Sequence, residues 1–141
     1  MSAKTNYYEN LLNDCLFRSD ATARAEINAA RLTVGLFKTA LSESSVLASG
    51  ANPVTDAGYS VISNATLAAA FGTVSSAGTI ANTGALTWGP FTGAPGTIVA
   101  VGWIDATTGK IWFYYNLSVS ITPSAGSTLR YAAASLSIQE A

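Results

Sequence analysis

The stretch TIVAVGWIDATTGKIWFYYNLSVSITPSAGSTLRYAAASLSI, residues 97–138, decides the fold. Ile98, Ala100, Gly102 and Ile104 alternate with Val99, Val101 and Trp103, the period of two that a β-strand requires. Asp105-Ala-Thr-Thr-Gly109 breaks the run. Five residues ending in glycine suit a hairpin turn, because the left-handed position such a turn needs costs glycine little. Residues 110–119 then read as a second strand, Pro123-Ser-Ala-Gly126 as the next turn, and residues 128–138 as the last strand. In Trp112-Phe-Tyr-Tyr115 neighbouring side chains point to opposite faces, so large rings are expected on both sides of one strand. Either that strand is central and covered on both faces, or one face meets the core and the other a partner.

Working outward, Arg31-Leu-Thr-Val-Gly-Leu-Phe37 places Leu32, Val34 and Leu36 on one side of a further strand. Residues 58–63 read as a strand, residues 67–73 are ambiguous because three alanines dilute the pattern, and short strands at 79–81 and 85–88 flank Asn82-Thr-Gly84. Residues 41–56 and 89–96 are loops, the latter holding two prolines and three glycines. Seven or eight short strands with frequent turns predict a mainly β protein, a jelly-roll-like β-sandwich with an N-terminal α-helix. The helix is residues 6–18, where Tyr8, Leu11, Leu12, Cys15 and Leu16 share one face. Asn6 is placed to cap it, with Glu9 three residues later. Residues 21–30 read as a short helix or an ordered loop. The division is thus an arm and helix over residues 1–30 and a sandwich over 31–141, together one compact domain.

The chain has 141 residues, 49% of them hydrophobic and only 11% charged, against about 25% charged in an ordinary soluble protein. Ten of the fifteen charges lie at or before Glu43, leaving Asp56, Asp105, Lys110, Arg130 and Glu140 for the rest. Net charge is −1 with no basic stripe, which argues against nucleic-acid binding. No apolar run is long enough to span a bilayer, and the polar N-terminus does not read as a secretory signal. Histidine is absent and Cys15 is the only cysteine, which removes internal disulfides, Cys/His zinc sites and histidine-dependent triads.

No catalytic set, metal site or cofactor site is expected. Asp56 and Asp105 are the only internal acids of the β body, and both read as turn residues that bond their own backbone. No Gly-x-Ser-x-Gly elbow, phosphate-binding loop or dinucleotide fingerprint occurs. Asn64-Ala-Thr66 and Asn116-Leu-Ser118 match the glycosylation tripeptide, a pattern that arises often by chance. Cys15, on the apolar helix face, reads as a small hydrophobe. The aromatic residues read chiefly as core plus interface, with sugar stacking as the alternative. The candidate interface residues are Tyr7, Tyr8, Leu11, Leu12, Trp103, Trp112 and Tyr114.

Five segments resemble a known family. Residues 6–18, Asn-Tyr-Tyr-Glu-Asn-Leu-Leu-Asn-Asp-Cys-Leu-Phe-Arg, are similar to the Asn-Tyr-Leu-Glu-Asn opening of small virion proteins of tailed bacteriophages, often labelled tail fibre proteins. Leu32-Thr-Val-Gly-Leu-Phe-Lys-Thr-Ala40, Ile80-Ala-Asn-Thr-Gly-Ala-Leu-Thr-Trp88, Val101-Gly-Trp-Ile-Asp-Ala-Thr-Thr-Gly109 and Ala125-Gly-Ser-Thr-Leu-Arg-Tyr-Ala-Ala-Ala134 resemble that family's later segments, in order. Pro53-Val-Thr-Asp-Ala-Gly-Tyr59 and residues 21–30 depart from it. The resemblance implies a virion component assembled in the host cytoplasm. Taken with the charge-poor composition, it leads to the expectation of a capsid cement or decoration protein, a homotrimer bound to the major capsid protein and to copies of itself. The alternative is a tail fibre or tail-tip protein that binds a host-surface ligand. No enzymatic activity, nucleic acid or membrane partner is expected.

Overall fold

A computed structural model describes residues 3–29, 32–63, 71 and 79–139. The elements run β1 (Ala3–Lys4), α1 (Asn6–Phe17), α2 (Ala21–Ala29), β2 (Leu32–Phe37), β3 (Thr79–Ala81), β4 (Leu86–Trp88), β5 (Ile98–Asp105), β6 (Ile111–Ile121), β7 (Leu129–Tyr131) and β8 (Ser137–Gln139). The mainly β class read from the alternating pattern is the class observed. Arg31 and most of residues 67–73 lie outside the described residues.

The long hairpin β5–β6 is the centre of a four-stranded antiparallel sheet in the order β1-β6-β5-β2. Its turn is built as its residues demand. Asp105 accepts from the Thr107 amide at 3.0 Å and from the Thr108 hydroxyl at 2.6 Å, and Gly109 takes a φ of +69°. Two further ribbons, β3–β8 and β4–β7, are nested antiparallel pairs. Leu86 and Trp88 of β4, with Leu136 just ahead of β8, enter a core that also holds Val34, Leu36, Val101 and Trp103 of the large sheet, a sandwich-like arrangement. The opposite face of the large sheet is covered as well. There Phe37, Ala100, Ile104 and Ile111 pack under Leu41, with Leu47 and Ala51 against them. Gly35 and Gly102 stand opposite each other in the β2–β5 register. A Cβ on Gly102 would come within 2.8 Å of the Phe37 ring, so this glycine makes room for the second core.

Three expectations are corrected. Residues 128–138 form two short strands instead of one, because β7 pairs with β4 while β8 pairs with β3. The chain turns between them, with Ala134 at a φ of +61°. Residues 58–63 are not a regular strand. They cover the outer edge of β2 through a single bridge, Ile62 to Val34, and through the Tyr59 hydroxyl, which accepts the Leu36 amide at 2.8 Å. An edge satisfied this way is closed to further pairing. Finally, Thr5 and not Asn6 caps α1. The Thr5 hydroxyl accepts from the Tyr8 amide at 3.4 Å and donates to the Ile111 carbonyl at 2.6 Å. Thr5 wins the position because it is 1% exposed and tied to β6, whereas Asn6 faces solvent.

Residues 21–29, left open between helix and loop, are helical. Asp20 caps α2 by accepting the Thr22 and Ala23 amides at 2.7 and 3.0 Å. Leu11 of α1 and Ala23 of α2 both enter the main core, so the helices share one hydrophobic interior with the sheets.

Candidate interaction surface

The first turn of α1 sits where β6 is irregular. Trp103 faces Phe113 and Ile104 faces Ile111, which leaves Trp112 as an extra residue in a β-bulge. The bulge changes the alternation expected for the aromatic run. Trp112 and Phe113 both join the main core, while Tyr114 packs against the second one. The Tyr8 ring lies 4.9 Å from Trp112 and 4.6 Å from Phe113, centroid to centroid. Thr5 donates its amide to the Trp112 carbonyl at 3.0 Å, closing the bulge from the side.

The seven candidate interface residues are therefore not equivalent. Leu11, Trp103 and Trp112 are buried within the chain. Tyr8 is half-buried on the rings just described. Tyr7 is half-buried between α2 and the hairpin: its hydroxyl bonds Glu26, and Lys110 Nζ lies 5.1 Å above its ring. Leu12 and Tyr114 are half-buried. Burial and a nearby Glu43 carboxylate push the Tyr114 phenol above its ordinary value.

The apolar stripe of α1 divides. Tyr8, Leu11 and Cys15 turn inward, whereas Leu16 is 68% exposed and the neighbouring Phe17 82%. Lys4, Glu9, Leu12, Asn13 and Leu16 line a shallow groove along the outer side of the helix. A further exposed apolar residue, Val119 at 76%, lies far along β6. Sequence reasoning passed over Phe17 because it falls off the helical stripe. Val119 was missed because its alternation with Ser118 and Ser120 reads as an ordinary half-buried strand.

The acids of the β body are engaged in local structure. Asp56 accepts the Thr92 amide at 2.8 Å, the Gly93 amide at 2.9 Å and the Gly58 amide at 2.9 Å, stapling two loops together. These bonds, the one from Thr92 foremost, hold its carboxyl below the ordinary value. Asp105 is fully buried in its turn. Among the described residues no three Asp, Glu, His or Cys side chains gather where they could hold one metal ion. No helix among them is long and apolar enough to cross a membrane. A second depression is lined by Ser60, Ser63, Thr87 and Trp88, whose indole N–H has no hydrogen-bond partner among the described residues.

No curated protein matches this chain. Its sequence does match one family, described as podophage GP4 fiber I protein gp80, over residues 3–139, from the first residue of β1 to the last of β8. The chain therefore belongs to the podophage GP4 fiber I protein gp80 family, which makes it a fibre-type structural protein of a phage particle.

Proposed function

We propose that this protein is a building subunit of a tailed-phage fibre, acting through contacts with copies of itself and with neighbouring virion proteins and carrying no catalysis. The observation that carries the reading is the family match over residues 3–139, which takes in every helix and strand among the described residues. The surface supports it. Residues 111–129 contain no charged side chain, and Leu16, Phe17 and Val119 stand exposed. Repeated subunits gain from such surfaces, because each contact after the first is effectively intramolecular. The family description favours a fibre over the capsid-decoration role expected from the resemblance taken with the charge-poor composition.

The test is a high-resolution map of the intact particle. Density for this chain in a fibre attached to the tail is the expected outcome. Density confined to the capsid shell, between major capsid protein subunits, would replace the proposal with the decoration role.

A further inference from the structure

We infer that the depression between residues 60–63 and 87–89 is a binding site for a neutral sugar residue. It lies where the two layers of the sandwich meet. One wall is the segment that covers the edge of β2, and the other is β4 with the glycine after it. Its volume is about 320 Å³, within the range of small-molecule sites.

The lining selects the ligand. Among the described residues no charged side chain lines the depression, so an ionic ligand would give up water and meet no opposite charge. What the walls offer is uncharged hydrogen bonding. Ser60 and Thr87 are exposed, and neither hydroxyl has a partner among the described residues. Each can donate one bond and accept others. Ile62 exchanges both its amide and its carbonyl with Val34, at 2.9 and 3.1 Å. By strand alternation the amide and carbonyl of Val61 therefore point away from β2, where no described group meets them. Mixed donors and acceptors without charge suit the hydroxyls of a sugar ring, which also serve as both. A peptide strand is the competing occupant. Residues 60–63 make a single bridge and β4 has only three residues, so neither wall has the length of edge from which strand addition draws its affinity.

The walls are fixed before any ligand arrives. Tyr59, next to Ser60, bonds the Leu36 amide through its hydroxyl at 2.8 Å and the Asp56 carbonyl through its amide at 2.9 Å. The Asp56 carboxylate ties the same segment to Thr92 and Gly93, in the loop that follows the second wall. Phe91 of that loop donates its amide to the Ser127 carbonyl at 3.0 Å. Gly89 stands at a φ of +99°, and a Cβ there would lie 2.9 Å from the Phe91 nitrogen and from the Ser127 oxygen, so the rim admits no side chain. A site set in advance loses little freedom on binding, which lets a few hydroxyls hold a small ligand. The site does not depend on the subunit's place in the particle, and its failure would leave the fibre reading standing.

Saturation-transfer NMR of the full chain with the methyl glycosides of glucose, galactose, mannose and N-acetylglucosamine is expected to detect at least one of them, binding in the millimolar range. Glucuronate, which carries a charge, should bind more weakly than that sugar. In amide correlation spectra titrated with it, Val61, Thr87 and Gly89 should shift while the amides of α1 stay in place. Thr87→Val keeps the shape of the side chain and should weaken binding about fivefold, and Ser60→Ala should do the same, both with unchanged melting temperature. Ser118→Ala, which removes an exposed hydroxyl elsewhere, should have no effect. Silence from all four glycosides, shifts confined to another surface, indifference to both Thr87→Val and Ser60→Ala, tighter binding of glucuronate, or a neutral peptide shifting these amides where no sugar does would each overturn the proposal.

Discussion

Asp56 and Asp105 show how much a single side chain can reveal before the fold is known. Asp105 bonds residues two and three places along the chain, so its turn is written in five consecutive letters. Asp56 also starts a local turn with Gly58, but its heavier duty is to Thr92 and Gly93, the first of them 36 residues away. No local pattern announces such a partner. The consequence is measurable in acid. Because these bonds favour the ionised form, the carboxyl titrates below its ordinary 3.8 in the folded chain, and Asp20 at the α2 cap does the same. Their stabilisation is complete above the unfolded value and is lost as pH falls through the lowered folded value. Asp56→Asn should therefore flatten the acid limb of a melting-temperature curve below about pH 4. Superimposable acid limbs for wild type and variant would reject this account.

At the scale of elements, Asn82 binds the two nested ribbons into one layer. It is 1% exposed and fully engaged: its amide group donates to the Gly84 and Ala132 carbonyls at 2.8 and 2.7 Å, and its carbonyl accepts the Leu136 amide at 2.9 Å. Residues 82–84 read as the link between two short strands, and what went unseen was that Asn82 grips the chain fifty and more residues later. That grip accounts for the misreading of residues 128–138. A run of small residues, Ala132 to Ser135, carries no periodicity of its own, so only the clamp marks where one strand ends and the next begins. Asn82→Ala leaves buried main-chain groups unpaired and should lower unfolding free energy by about 3 kcal/mol in a urea titration. A loss below about 0.5 kcal/mol, the range of ordinary surface substitutions, would show that the clamp is dispensable.

For the whole molecule, the decisive feature is that helices and sheets share a core, with Leu11 and Ala23 beside Trp103, Trp112 and Leu136. Helix and sheet should then melt together. Leu11→Ala should cost about 2–4 kcal/mol, and helical ellipticity and fluorescence from Trp88, Trp103 and Trp112 should fall in coincident transitions. Two separated transitions would mean that the helices unfold as an independent layer. By itself, the sequence determined the class of the fold, the central hairpin with its turn, the first helix, and the poverty of charge beyond Glu43. Those features depend on residues close together in the chain or on composition. Only the tertiary structure decided which apolar residues are spent on the core and which remain outside. A bulge at Trp112 shifts the facing of a whole aromatic run, and the seating of α1 on the core buries Leu11 while leaving Leu16 in solvent. Such choices arise from the fit between elements distant in sequence, where one residue of register reverses a side chain's face.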